Sequence, residues 1–178
     1  MEFIPFIIIA FRLIVPFSIL KWPFWGMVAS IAADGADVVI MDATGARGFF
    51  WGPTYHPIDK GLDTYYLAFA AFVSLRWPEM LAKKTAVFLF IWRLIGIVIF
   101  EITNIRQVIL FAPSIFENFY LIIAGAKQFF PKFKVDTGKK LAVILVIAAI
   151  PKLVQEYFMH FLEVQTWQFV KHNIFRWW

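Results

Sequence analysis

Four aspartates in one short stretch carry the clearest chemical signal in this sequence. Asp34 and Asp37 stand three apart, and Asp59 and Asp63 four apart. On helices, each pair therefore occupies one face. The stretch 34–63 holds five of the twelve acidic residues, Asp42 being the fifth, so acidity is concentrated here and sparse elsewhere. Two helices that each offer carboxylates at such spacing can clamp a hard divalent ion. Mg²⁺ or Mn²⁺ suits an all-oxygen site and keeps water or substrate phosphate in its remaining positions. Bound metal stabilises the attacking and leaving oxygens of a phosphoryl transfer. A carboxylate outside the metal shell is able to act as general base toward a hydroxyl. Gly35, Ala36 and Gly61 leave room for a substrate beside these helices.

The elements that must position the aspartates are membrane helices. The chain is 61% hydrophobic and only 16% charged, with a mean hydropathy of +0.73, well outside the range of soluble domains. Carboxylates are costly in hydrocarbon and normally line a polar site within a bundle. The expected architecture is all-α: a single polytopic integral membrane domain of about six transmembrane helices, followed by a C-terminal interfacial segment. There are no cysteines, which excludes thiol catalysis and cysteine metal sites. No basic run is long enough for nucleic acid, and the net charge of +5 suits anionic lipid headgroups.

Apolar runs place the six crossings at roughly 3–20, 23–41, 59–75, 85–103, 107–125 and 141–163. The first contains Arg12 and Pro16. Pro16 should kink it and free a carbonyl, while Arg12 should face the bundle, where a carboxylate is able to pair with it. Without a basic n-region, this stretch reads as a retained helix rather than a cleaved signal. An irregular, aromatic stretch at 43–57 offers Arg47 and His56 as cationic candidates for substrate contact, and Lys60 follows beside Asp59. Arg93 and Glu101, eight apart, share nearly one face and are candidates for the same polar cavity, as is Asp42. Glu117 and Asn118 follow Pro113 by about a turn and are placed to satisfy backbone loosened there. The segment 127–140 reads as a basic, aromatic surface loop, and His160 as a hydrogen-bonded core residue.

The paired aspartates, with this length and helix count, resemble the CDP-alcohol phosphotransferase family. Its pattern is Asp-x-x-Asp-Gly-x-x-Ala-Arg followed by Gly-x-x-x-Asp-x-x-x-Asp, across the end of the second helix and the start of the third. Asp34-x-x-Asp37 is similar to the first pair and Asp59-x-x-x-Asp63 to the second. The resemblance implies metal binding by Asp34, Asp37 and Asp59, with Asp63 as the base. It further implies transfer of a phosphoalcohol from a CDP-linked donor with release of CMP. Val38 stands where the family has Gly, and Tyr55 where it has the second Gly. A second register, with Asp42 as the second aspartate, brings Ala46 and Arg47 to the Ala-Arg position but puts Val39 in place of the first aspartate.

Topology adds a further expectation. Six crossings put the aspartates on the side bearing Arg47, Lys60, Arg106, Lys171 and Arg176. The opposite side bears Lys21, Arg76, Lys83, Lys84, Lys127, Lys132, Lys134, Lys139 and Lys140. The positive-inside rule then places the aspartates outside, whereas the family's site faces the cytoplasm. Three readings follow: a metal-dependent transferase on a lipid or lipid-linked phosphate, a carrier or accessory subunit with buried ion pairs, and a purely structural charge cluster. Expected partners are membrane lipids, a nucleotide-linked or phosphate-bearing lipid substrate and a second copy of the chain, with no nucleic acid.

Overall fold

A computed structural model describes residues 3–44, 55–103 and 112–156. They are all-α, with no strand among the described residues. The helices are α1 (Ile4–Ile14), α2 (Phe17–Lys21), α3 (Pro23–Ala43), α4 (Tyr55–Ser74), α5 (Met80–Thr103), α6 (Ile115–Phe129) and α7 (Gly138–Glu156). Among the described residues, two spans are long and apolar enough to cross a membrane: Ile4–Lys21, through α1 and α2, and Met80–Thr103. The chain divides into two compact units, Met1–Pro78 with Ile123–Phe133, and Glu79–Ile122 with Lys134–Trp178.

In the first unit, Pro16 breaks the opening apolar run as its chemistry requires. It has no N–H to offer the carbonyl of Arg12, one turn back. α1 therefore ends at Ile14 and α2 starts at Phe17. Tighter bonds carry the chain across the break, from Ser18 N to Val15 O (2.9 Å) and from Ile19 N to Pro16 O (3.0 Å). The Ser18 hydroxyl also donates to Val15 O at 2.6 Å. After Trp22 the chain reverses into α3, with Pro23 as its first residue, where a missing N–H costs nothing.

α3 packs against α2, α1 and α4. Gly26 makes the closest approach: a Cβ there would lie 2.4 Å from the backbone nitrogen of Ile19. No side chain fits against backbone at that distance, so only glycine permits this contact. Ile19 and Met27 are fully buried beside it. Ser30, one turn on, satisfies its buried hydroxyl by donating to Gly26 O at 2.8 Å. On the last turns of α6, Gly125 admits the Phe24 ring, which would lie 3.0 Å from a Cβ, and Phe129 meets the same ring edge-on at 5.3 Å.

α4 starts at Tyr55, four residues before the expected start at Asp59. Pro57 is no obstacle there, because amides in the first turn have no intrahelical acceptor anyway. α5 likewise starts five residues earlier than expected. Lys83 N bonds Glu79 O at 3.0 Å, and Met, Leu, Ala and Lys propagate helix without interruption. α6 runs on to Phe129 because nothing in GAKQFF stops a helix before Pro131. The basic loop is therefore shorter than expected, about 130–137. Thr137 closes it, its hydroxyl accepting the Lys140 amide at 3.4 Å, which caps α7. Asp136 accepts from Lys140 Nζ at 2.7 Å, and that hydrogen bond holds its carboxyl below the usual range.

The second unit pairs α5 with α7 around buried Phe116, Phe119 and Tyr120. Gly96 meets the Cβ of Ala112 at a separation that excludes any larger residue. Glu117 and Asn118, expected to satisfy backbone loosened near Pro113, both reach α7. Lys152 Nζ donates to Glu117 Oε2 at 3.1 Å, with both side chains largely buried. Asn118 Nδ2 donates to Ala148 O at 3.0 Å, in the turn that Pro151 loosens. A neutral amide on an α7 carbonyl and an ion pair one turn away fix the register of these two helices.

Candidate metal and charge centre

The Pro16 break aims one residue of α1 into the first unit. Arg12 is 4% exposed, and its guanidinium meets all four aspartates. Nη1 donates to Asp37 Oδ2 on α3 and to Asp59 Oδ1 on α4, the latter at 2.7 Å. Nη2 donates to Asp34 Oδ1 on α3 and to Asp63 Oδ1 on α4, the latter at 2.7 Å. Each terminal nitrogen thus bridges one carboxylate from each helix. The planar fork of arginine makes this possible; the point charge of a lysine would not span both pairs.

The carboxylates differ in depth. Asp37 is 2% exposed, against 33% for Asp34, 36% for Asp59 and 38% for Asp63. The three more open ones each present an oxygen within 4.8 Å of the others. An octahedral Mg²⁺ with bonds of ~2.1 Å spaces its opposed oxygens about 4.2 Å apart. Adjacent oxygens of such a shell lie about 3.0 Å apart, so Asp34, Asp59 and Asp63 would draw closer together to share one ion. Asp37 stands apart from that trio, in the buried position next to Arg12. This grouping differs from the expected one, which set Asp34, Asp37 and Asp59 on the metal and Asp63 outside it. Spacing along α3 gives both aspartates one face; only their depth separates them.

Negative charge is concentrated at this centre. One guanidinium faces four carboxylates, and Coulomb repulsion among close carboxylates is large where water is scarce. The arrangement therefore attracts further positive charge. Its donor set is all oxygen, which suits Mg²⁺, Mn²⁺ or Ca²⁺ and disfavours soft metals.

The other candidates lie as follows. Lys60 is half-buried on α4, one residue past Asp59. Asp42 and His56 lie on α3 and α4, but their side chains are outside the described residues, as is all of Arg47. Arg93 and Glu101 lie on α5 in the second unit. There Arg93 Nη1 donates to the Ala112 carbonyl at 2.9 Å, one turn from the Gly96 contact, and Glu101 is exposed. His160 is outside the described residues. Sequence reasoning did not single out Arg12 as the common partner of both pairs; the signal available was a lone arginine one turn before a proline in an apolar run. Comparisons with protein-family models, with curated proteins and with solved structures found no match.

Proposed function

We propose that the chain is a multi-pass membrane protein of about six crossings and a divalent-metal-dependent transferase acting on a lipid or lipid-linked phosphate. The observation that carries this reading is the convergence of two aspartate pairs, from α3 and α4, on one centre around the Arg12 guanidinium. Asp34, Asp59 and Asp63 hold Mg²⁺ or Mn²⁺, and the metal supplies charge stabilisation for a phosphate undergoing transfer. Asp37 anchors Arg12, and Arg12 keeps the two pairs together. The Asp63 oxygen left off the metal faces the substrate hydroxyl and accepts its proton. Arg47, His56 and Lys60 are the proposed contacts for the substrate's phosphates.

Membrane placement draws support from length and exposure. α3 has 21 residues and α4 has 20, about 30 Å each at 1.5 Å per residue, which matches the hydrocarbon thickness. Only 11% of the apolar window of Met80–Thr103 is buried. A core helix of a soluble protein would hide most of that surface, whereas lipid covers it here. Phe3, Phe6, Ile7 and Ile14 expose a similar face on α1, while Arg12 on the same helix points inward.

The Arg12 contacts also favour a second reading, in which the centre is a non-enzymatic charge cluster that orients helices in a carrier or accessory subunit. Buried ion pairs of that kind set geometry more than stability. Activity separates the two. The protein, reconstituted in vesicles with a CDP-linked lipid donor and an alcohol acceptor, should release CMP with Mg²⁺ or Mn²⁺ and fall to background in EDTA. Release that persists in EDTA would remove the metal from the account. No release from this donor, or from prenyl-linked diphosphates, would favour the non-enzymatic reading.

A further inference from the structure

A second feature of the first unit lies well away from the aspartates. A cavity of about 290 Å³ opens where α2 ends, α3 begins and α4 ends. Asp34 and Asp37 lie about 15–20 Å further along α3, at 1.5 Å per residue. Leu20, Pro23 and Val73 form its apolar part, and Arg76, Lys127 and Gln128 its polar part. Among the described residues lining it there is no carboxylate. Two cations and an amide beside an apolar wall fit a phosphate ester attached to a hydrocarbon body.

The surroundings are those of a membrane interface. Trp22 and Trp25 are each 55% exposed, and Lys21 Nζ lies 4.7 Å over the Trp22 ring. Exposed tryptophans beside lysines mark the headgroup level of a bilayer. The Arg76 guanidinium lies 4.9 Å over the exposed Phe72 ring, a cation–π contact that holds its charged group beside the cavity it lines. Gly125 and Phe24 seat the end of α6 against α3 and so hold Lys127 opposite Arg76.

We infer that this cavity binds an anionic phosphate ester through Arg76, Lys127 and Gln128, with the headgroup of an acidic phospholipid as the source its interfacial setting favours. A volume near 290 Å³ takes a headgroup and its glycerol, with the acyl chains left in lipid. The site is independent of the aspartate centre. Only its lipid source rests on the membrane reading, and a phosphate arm tests the anion site without it.

The test uses the full chain in neutral detergent. Short-chain phosphatidylglycerol, short-chain phosphatidylcholine and inorganic phosphate are added separately, and the thermal unfolding midpoint is followed. Phosphatidylglycerol should raise the midpoint by roughly 5 °C at about a hundred times its Kd. The Arg76→Gln/Lys127→Gln double variant should lose most of that rise. Lys84→Gln/Lys139→Gln, with the same change in net charge on exposed residues, should keep it. A rise with inorganic phosphate that the Arg76/Lys127 variant abolishes would also support the site, with a free phosphate ester as ligand. An equal rise from phosphatidylcholine, or a phosphatidylglycerol rise that survives the double variant, would overturn it. A photoactivatable phosphatidylglycerol on the wild-type chain provides a test that does not depend on variant folding. It should label the segment around Trp77 or Lys127, and labelling confined elsewhere would equally overturn the site.

Discussion

Replacing Arg12 with Met should cost the metal-free protein about 3–5 kcal/mol or more, the usual loss when one partner of a buried ion pair is removed. The size of the effect follows from the geometry. Arg12 is almost wholly buried, and each of its terminal nitrogens joins α3 to α4 through a carboxylate pair. Without it, four carboxylates face one another and the two helices repel. A divalent ion supplies what the guanidinium supplied, so Mn²⁺ should raise the unfolding midpoint of Arg12→Met far more than that of the wild type. Ligand at about a hundred times its Kd restores roughly 2.7 kcal/mol. Arg12→Lys should fall between, since it keeps one charge but loses the fork. Thermal unfolding in detergent, with EDTA and then with Mn²⁺, reads all three. A metal-free Arg12→Met as stable as the wild type would mean that the guanidinium does not organise the centre.

The largest expected effect on activity belongs to Asp63. Asp63→Asn is nearly isosteric and keeps an oxygen for Arg12, so the fold should persist. What it removes is the charge that binds metal and the basic oxygen that takes a hydroxyl proton. Metal-dependent transfer should drop by about 10²–10⁴, the usual contribution of a positioned general base. Asp37→Asn should behave differently. Its side chain is buried behind Arg12 and outside the oxygen trio, so its loss should show mainly as a lower unfolding midpoint. The two variants, assayed for CMP release and for unfolding, separate a residue that meets substrate from one that holds Arg12. Equal losses of activity and stability in both would remove that division of roles.

The aspartate pairs were legible because helical spacing depends only on sequence: three and four residues apart mean one face. The all-α class was legible from composition for the same reason. The meeting of the pairs on Arg12 was not, because Arg12 is 22 to 51 residues away from them and only tertiary packing brings it there. The break at Pro16 was visible, yet nothing local says that the residue one turn before it points at α3 and α4. The division between Asp37 and the other three was hidden too, since it reflects depth in the unit rather than spacing. The Glu117–Lys152 pair shows the same limit. Its residues are 35 apart, and α6 and α7 had to be set in register before either partner could be named. The helix starts at Tyr55 and Met80 lie four and five residues before the expected ones; Pro57 falls in a first turn, which tolerates it.

The proposed transferase needs a divalent cation at the aspartate centre. Titration of the purified protein with Mn²⁺, followed by electron paramagnetic resonance, should show saturable binding that Mg²⁺ displaces. Binding should weaken at least about tenfold in Asp34→Asn/Asp59→Asn, which removes two of the three proposed oxygen donors. Absence of saturable Mn²⁺ binding in the wild type, or equal affinity in that double variant, would exclude a metal at this centre.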